Sequence, residues 1–336
     1  MKYIISLSLF LSGTFALVSA ASVPATIHLL KNNTFSEALP ANNVSTLTAI
    51  MPPAGFAMRY TWDRSVSLRW IEEYVNTVEA MIRCARTPWD GFIVTTRGEI
   101  SSPDFRSRLE VGVLRAQLQT KHLVSGLYEA GITIAASEDH GTRDFKLYAG
   151  IVLDNRPIGW LLYDIKRPRL DRAATNSTVR LNGSDLSHDL STNPPEEQLP
   201  DSDSPTPLST RRSGWVSDLA DPKFKIYYES NGQSLTPSGV WTAFLDGFAT
   251  AAQHDNDGSD ADISASSSDR SVSINVHGDA DAASFTWGNV KTTLKVIWRE
   301  VVIGYRKGPD RQLWEDMTFL IYYEGKRVGE GYIVLL

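Results

Sequence analysis

The chain has 336 residues, 42% of them hydrophobic, with 39 acidic against 33 basic side chains and a net charge of -6. That length fits two domains at roughly 150 residues each, and the acidic balance excludes the broad basic surface that nucleic-acid binding requires. The composition is that of a globular protein with ample core material.

Lys2 precedes an apolar run over residues 3–18 that closes on Val18-Ser19-Ala20, small residues where a signal peptidase cuts. The run is short for a bilayer span of about 20 residues and lacks a basic stop-transfer cluster. Residues 1–20 therefore read as a secretory signal. The expected mature chain is extracellular, with no transmembrane segment after signal removal, and its apolar end at 332–336 is too short for a lipid-anchor tail. A polar extension follows over 21–54, with glycosylation acceptors at Asn32 (N-N-T) and Asn43 (N-V-S).

A first α+β domain is expected over 55–164. It opens with a strand at 56–62, then Trp70, Tyr74, Val78, Met81 and Ile82 recur at helical spacing with Glu72, Glu73, Asn76 and Glu79 between them. Cys84, the one cysteine, has no partner in its own chain. Each domain must then rest on its own hydrophobic core, with Cys84 as a shielded thiol; an intermolecular disulfide or a reactive nucleophile are the alternatives. A strand follows at 92–96, and Leu114, Leu118, Leu123 and Leu127 form a less regular helical stripe on which His122 reads as a surface residue.

The best acid-base cluster of the chain is at 137–141, where Asp139 and His140 are weak catalytic candidates. An imidazole beside carboxylates can share a proton near neutral pH, although the same residues also make polar turns. A hairpin is expected from 145–153 and 158–163 around the turn Asp154-Asn155-Arg156-Pro157. Trp89 and Trp160, beside turns, are the candidates for a surface-binding role.

From 165 to 214 the chain has no aromatic residue and is dominated by Asn, Ser, Thr, Pro and Asp, a composition that cannot offset its ordering entropy. It reads as a disordered linker. It carries acceptors at Asn176 (N-S-T) and Asn182 (N-G-S), and ends at Arg211-Arg212, a dibasic processing site before Ser213. Lys166-Arg167 is less suited to cleavage because Pro168 follows.

The second α+β domain, 215–336, shows a similar order. A strand at 224–228 precedes a helix signalled by Thr236-Pro237 and by Trp241, Leu245, Phe248 and Ala252. The Asp-rich stretch 254–262 fails as a calcium loop: with Gly258 in the required glycine position, Gln253 and Ser264 fall on the first and last ligands. It reads as a solvated loop, so no metal is expected. A strand at 272–276 ends near His277, Val290, Leu294, Ile297 and Val301 share a helix face, and a hairpin closes the chain from 317–323 and 328–335. An offset of 170 superimposes Gly159 on Gly329, Ile151 on Ile321 and Lys121 on Lys291, while 171 superimposes Trp70 on Trp241.

These features predict an α+β protein of two tandem, duplicated α/β-sandwich domains, each β-α-β-α and then antiparallel strands, joined by the linker. H-E-x-x-H, paired C-x-x-C, Walker A and G-x-S-x-G patterns are all lacking, and no cofactor is implied. The leading expectation is a secreted, non-enzymatic glycoprotein, effector or toxin-like, that meets a protein or glycan target outside the cell. An extracellular hydrolase or accessory enzyme with a dispersed site, and a cell-wall or matrix structural protein, are the alternatives.

Overall fold

A computed structural model describes residues 51–101, 105–138, 144–166, 212–279, 285–304 and 313–336. The expected signal, the four expected acceptors Asn32, Asn43, Asn176 and Asn182, the pair Asp139 and His140, and Arg211 lie outside the described residues. The protein is α+β with two antiparallel sheets.

The first half runs β1 (Phe56–Leu68), α1 (Trp70–Cys84), β2 (Arg97–Ile100), β3 (Ser107–Val113), α2 (Thr120–Glu138), β4 (Asp144–Leu153) and β5 (Arg156–Ile165). The second runs β6 (Ser213–Ser217), β7 (Phe224–Ser234), α3 (Pro237–Ala251), β8 (Asp262–Ser266), β9 (Val272–Gly278), α4 (Trp287–Val296) with a π-helical continuation Ile297–Val302, β10 (Glu315–Tyr323) and β11 (Lys326–Leu335). The first sheet has the order β1-β4-β5-β3-β2 and the second β6-β7-β10-β11-β9-β8. Apart from β6, the two orders are the same.

The correspondence extends to register. Ile151 pairs with Gly159 on β4 and β5, Ile321 pairs with Gly329 on β10 and β11, and an irregularity follows each pair at once. Both hairpins turn through two positive-φ residues, Asp154 and Asn155 in one, Glu324 and Gly325 in the other, the geometry that matches the twist of paired strands. The helices depart from the sequence alignment. Their starts, Trp70 and Pro237, are offset by 167, so Tyr74 rather than Trp70 occupies the place of Trp241.

Other expectations need adjusting. Residues 92–96 form no strand; Phe92 makes a single bridge to Gln119, and β2 starts only at Arg97. Leu114 is exposed in a loop, and α2 begins at Thr120. Asp164 and Ile165 belong to β5, and β6 begins at Ser213, so both ends of the span read as linker are strand. Each half therefore contributes two paired strands that its apolar pattern does not reveal, β2 and β3 in the first and β6 and β8 in the second.

Helices α1 and α2 cover one face of the first sheet, α3 and α4 one face of the second, and the two helical layers pack together. Separate cores are replaced by a shared one. The Tyr74 ring stacks on Trp241 at 3.5 Å and 16°, Trp70 contacts Trp314, and Trp314 meets Trp298. Gly131 on α2 leaves room for Leu245 of α3, which a Cβ there would overlap. Burial between layers also explains why Glu72 and Glu73, expected to face solvent, are 3% and 0% exposed. Glu72 Oε2 accepts from the Ser107 N–H at 2.7 Å, and Thr77 Oγ1 lies 3.0 Å from the Tyr163 hydroxyl. Cys84 is buried and free, its thiol pushed up to about 12 by burial.

Candidate binding surface

Strand alternation places Gly159, Leu161 and Tyr163 toward the helices and Trp160, Leu162 and Asp164 on the outer face of the first sheet. Trp160 stands between two glycines, Gly150 on β4 and Gly112 on β3, with Arg59 beyond one and Arg97 beyond the other. Gly112 gives the indole room to lie flat. A Cβ on Gly112 would overlap the Trp160 ring, so no other residue fits beneath it without displacing the indole.

Tyr148 stacks beside this ring, with centroids 6.1 Å apart and 26° between planes, and the Arg97 guanidinium lies 6.0 Å over it. Arg97 is held in turn. Its Nε donates to Glu110 Oε2 at 3.0 Å, and a second guanidinium nitrogen reaches the same oxygen. Glu110 is 1% exposed and also lies 2.7 Å from Arg108, a contact outside hydrogen-bond angles and hence an ion pair by distance alone. Nearby, Lys146 pairs with Asp164 at 3.3 Å. The outer face thus carries two half-open aromatic rings and a fixed cation above a buried carboxylate. Such rings can stack on the apolar face of a sugar or receive a partner's aromatic or guanidinium group.

The other candidates fall elsewhere. Trp89 is half-buried against the core, and its carbonyl accepts from the Lys121 N–H at 3.0 Å. Arg212 is exposed at the mouth of β6, where its carbonyl accepts from Ser230. His122 is 3% exposed instead of lying on the surface. Its Nδ1 accepts the Gln119 N–H at 3.1 Å, and burial, then Lys121, hold the imidazole below its usual value. His277 stands on the outer face of the second sheet, 3.1 Å from Glu330.

The Asp-rich loop has a structural task. Its carbonyl oxygen at His254 and the Asn256 Oδ1 accept from the buried Lys291 ammonium at 2.6 and 2.9 Å, and the His254 ring stacks on Trp287 at 3.8 Å. Gly258 O accepts from Trp287 N at the start of α4, as Gly91 O accepts from Thr120 N at the start of α2. Lys121 reaches Asp90 of the corresponding first-half loop at 2.7 Å. No group of three His, Cys, Asp or Glu among the described residues is arranged to hold a metal ion.

A second aromatic patch went unread in the sequence. Trp215 on β6 is 59% exposed, with its ring 5.3 Å from Tyr227 and 5.1 Å from Tyr322. Trp215 is the first aromatic residue after the polar span, and only the pairing of β6 with β7 brings it beside Tyr227.

No protein-family model and no curated protein sequence matches the chain. Among solved structures, the chain is similar to the tandem DUF26 ectodomain of the Arabidopsis thaliana cysteine-rich receptor-like protein PDLP8. That likeness has 6% identity and a TM-score of 0.20, over 82% of this chain and 95% of that one. A likeness of that size carries no conclusion about fold or role. No helix among the described residues is long and apolar enough to cross a membrane.

Proposed function

We propose that this chain is a secreted, non-enzymatic glycoprotein of effector or toxin-like type that meets a glycan or protein outside the cell through the outer face of its first sheet. The observation that carries the reading is the Trp160 platform: an indole laid over Gly112, flanked by Tyr148 and by an arginine fixed on buried Glu110. Preorganised rings of this kind bind with little loss of side-chain freedom. The amino-terminal apolar run and the four acceptor sequons support secretion. The matched strand order and hairpin register support descent of the two halves from one duplicated unit.

Cleavage after Arg212 belongs to the same reading. Because Tyr74 of the first half stacks on Trp241 of the second, the products would stay paired without a covalent link. Intact mass and amino-terminal sequencing of the deglycosylated protein from culture medium test both points: termini near Ala21 and at Ser213 are expected, and a chain retaining residues 1–20 would overturn secretion. For the platform, isothermal titration with cello-, chito- and laminari-oligosaccharides is compared between the wild type and W160A. Binding lost in W160A and kept in W215A is expected; equal binding by both variants would remove Trp160 from the site.

A further inference from the structure

The two sheets differ at corresponding edges. On the second, β7 is flanked by β6; on the first, no strand among the described residues pairs with the outer side of β1, although β1 is the longer strand at 13 residues. The difference extends to the helix-facing side chains. Phe224, Ile226 and Tyr228 of β7 are buried, whereas the corresponding Phe56, Met58 and Tyr60 of β1, and Trp62 after them, are only half-buried. Ile132 and Thr133 of the adjacent α2 are half-buried as well. An edge with free backbone donors and acceptors and a partly open apolar flank is a template for another strand.

We infer that β1 pairs antiparallel with β1 of a second copy, joining two first sheets into one across a twofold axis at Thr61. The sequence of β1 is self-complementary about that residue. With Thr61 opposite its own counterpart, Arg59 of each copy faces Asp63 of the other on the outer face, giving two opposite-charge pairs. On the helix-facing side the same register sets Tyr60 opposite Trp62, twice, and covers the half-open flank. Arg59 and Asp63 are both exposed, and β1 keeps an unbroken register with β4 from Phe56 to Asp63, so the segment is already extended for a partner. Other registers along β1 lose the reciprocal charge pairing.

The test is sedimentation velocity of the full secreted chain, from micromolar to submillimolar concentration, for the wild type, R59D, D63R and R59D/D63R. A wild-type dimer is expected, weakened about tenfold or more by either single reversal, which sets like charges opposite each other, and restored in the double variant. A monomer at all concentrations, or a dimer that the single reversals leave unchanged, overturns the inference. Hydrogen exchange over 57–63 on the same samples should show protection that grows with dimer fraction. Full protection in the monomer would mean that the chain's own residues cover the edge, and would also overturn it.

Discussion

The first and second halves share strand order and hairpin register but present different surfaces. The second sheet covers its β7 edge with β6 and carries Trp215, Tyr227 and Tyr322 on its outer face. On the first, no strand among the described residues covers β1, and a tryptophan lies in a trough over Gly112. Topology is therefore held by what faces the helices, and the contacts available to partners by what faces away. A strand can meet both demands because successive side chains alternate between its faces.

The strongest way to break the comparison is to attack what the halves share. Trp241 is fully buried against Tyr74, and W241A is expected to cost about 3–5 kcal/mol. Both halves should lose stability in one coincident transition, monitored by calorimetry and by hydrogen exchange in β4 and β10; loss confined to the second half would mean that the cores are independent.

Next is the trough. G112A places a methyl group in the Trp160 ring and is expected to cost about 1–3 kcal/mol by urea unfolding. Oligosaccharide titration should show weaker binding in G112A, because the indole must lift from its seat.

The two loop-anchoring lysines sharpen the contrast. Lys291 is 6% exposed and donates to two oxygens, whereas Asp90, the partner of Lys121, is exposed. In urea unfolding, K291A should cost about 1.5–3 kcal/mol and K121A less than about 1 kcal/mol. Equal effects would remove the distinction between the loops.

The expected effect with a pH signature concerns Asp246. It is 7% exposed on α3; Oδ2 accepts from Ser266 N at 3.0 Å and Oδ1 has no hydrogen-bond partner, and burial raises its carboxyl to about 6. A carboxyl raised in the fold favours the folded state while protonated. This contribution is complete below the unfolded value near 4 and is lost as pH climbs through about 6. D246N should therefore stabilise the protein at pH above 7 and do little below pH 4. Urea midpoints at the two pH values check this, and a variant destabilised at both would contradict it.

Much of the fold could be read from the chain because it depends on local patterns. The hairpins at 145–163 and 317–335 combine alternation with turn residues that accept positive φ, and Thr236 caps α3 through the Gly239 N–H. The stripe Val290, Leu294, Ile297 and Val301 is buried, even though the helix changes to π geometry at Ile297. Strands β2, β3, β6 and β8 were not legible. They are short or polar, and each is a strand because a neighbour completes its hydrogen bonds. The buried carboxylates were missed for a related reason: Glu72 looks solvent-facing on an isolated helix, and only the layers around α1 bury it.

Of the candidate binding surface, the sequence marked Trp160 because it lies beside a turn. It gave no sign of Gly112, Arg97 or Glu110, which reach the indole through strands β3 and β2, some 50 residues earlier in the chain. By itself, then, the sequence determined the secondary elements with strong periodicity, the polar span between the halves and the paired hairpins, all set by interactions among near neighbours. Tertiary structure alone decided which carboxylates are buried, that the two cores are one, that β6 covers the edge of β7 while no strand among the described residues covers that of β1, and that Gly112 lies beneath a tryptophan. Those outcomes depend on strand pairing and layer packing between residues far apart in the chain, for which local periodicity has no term.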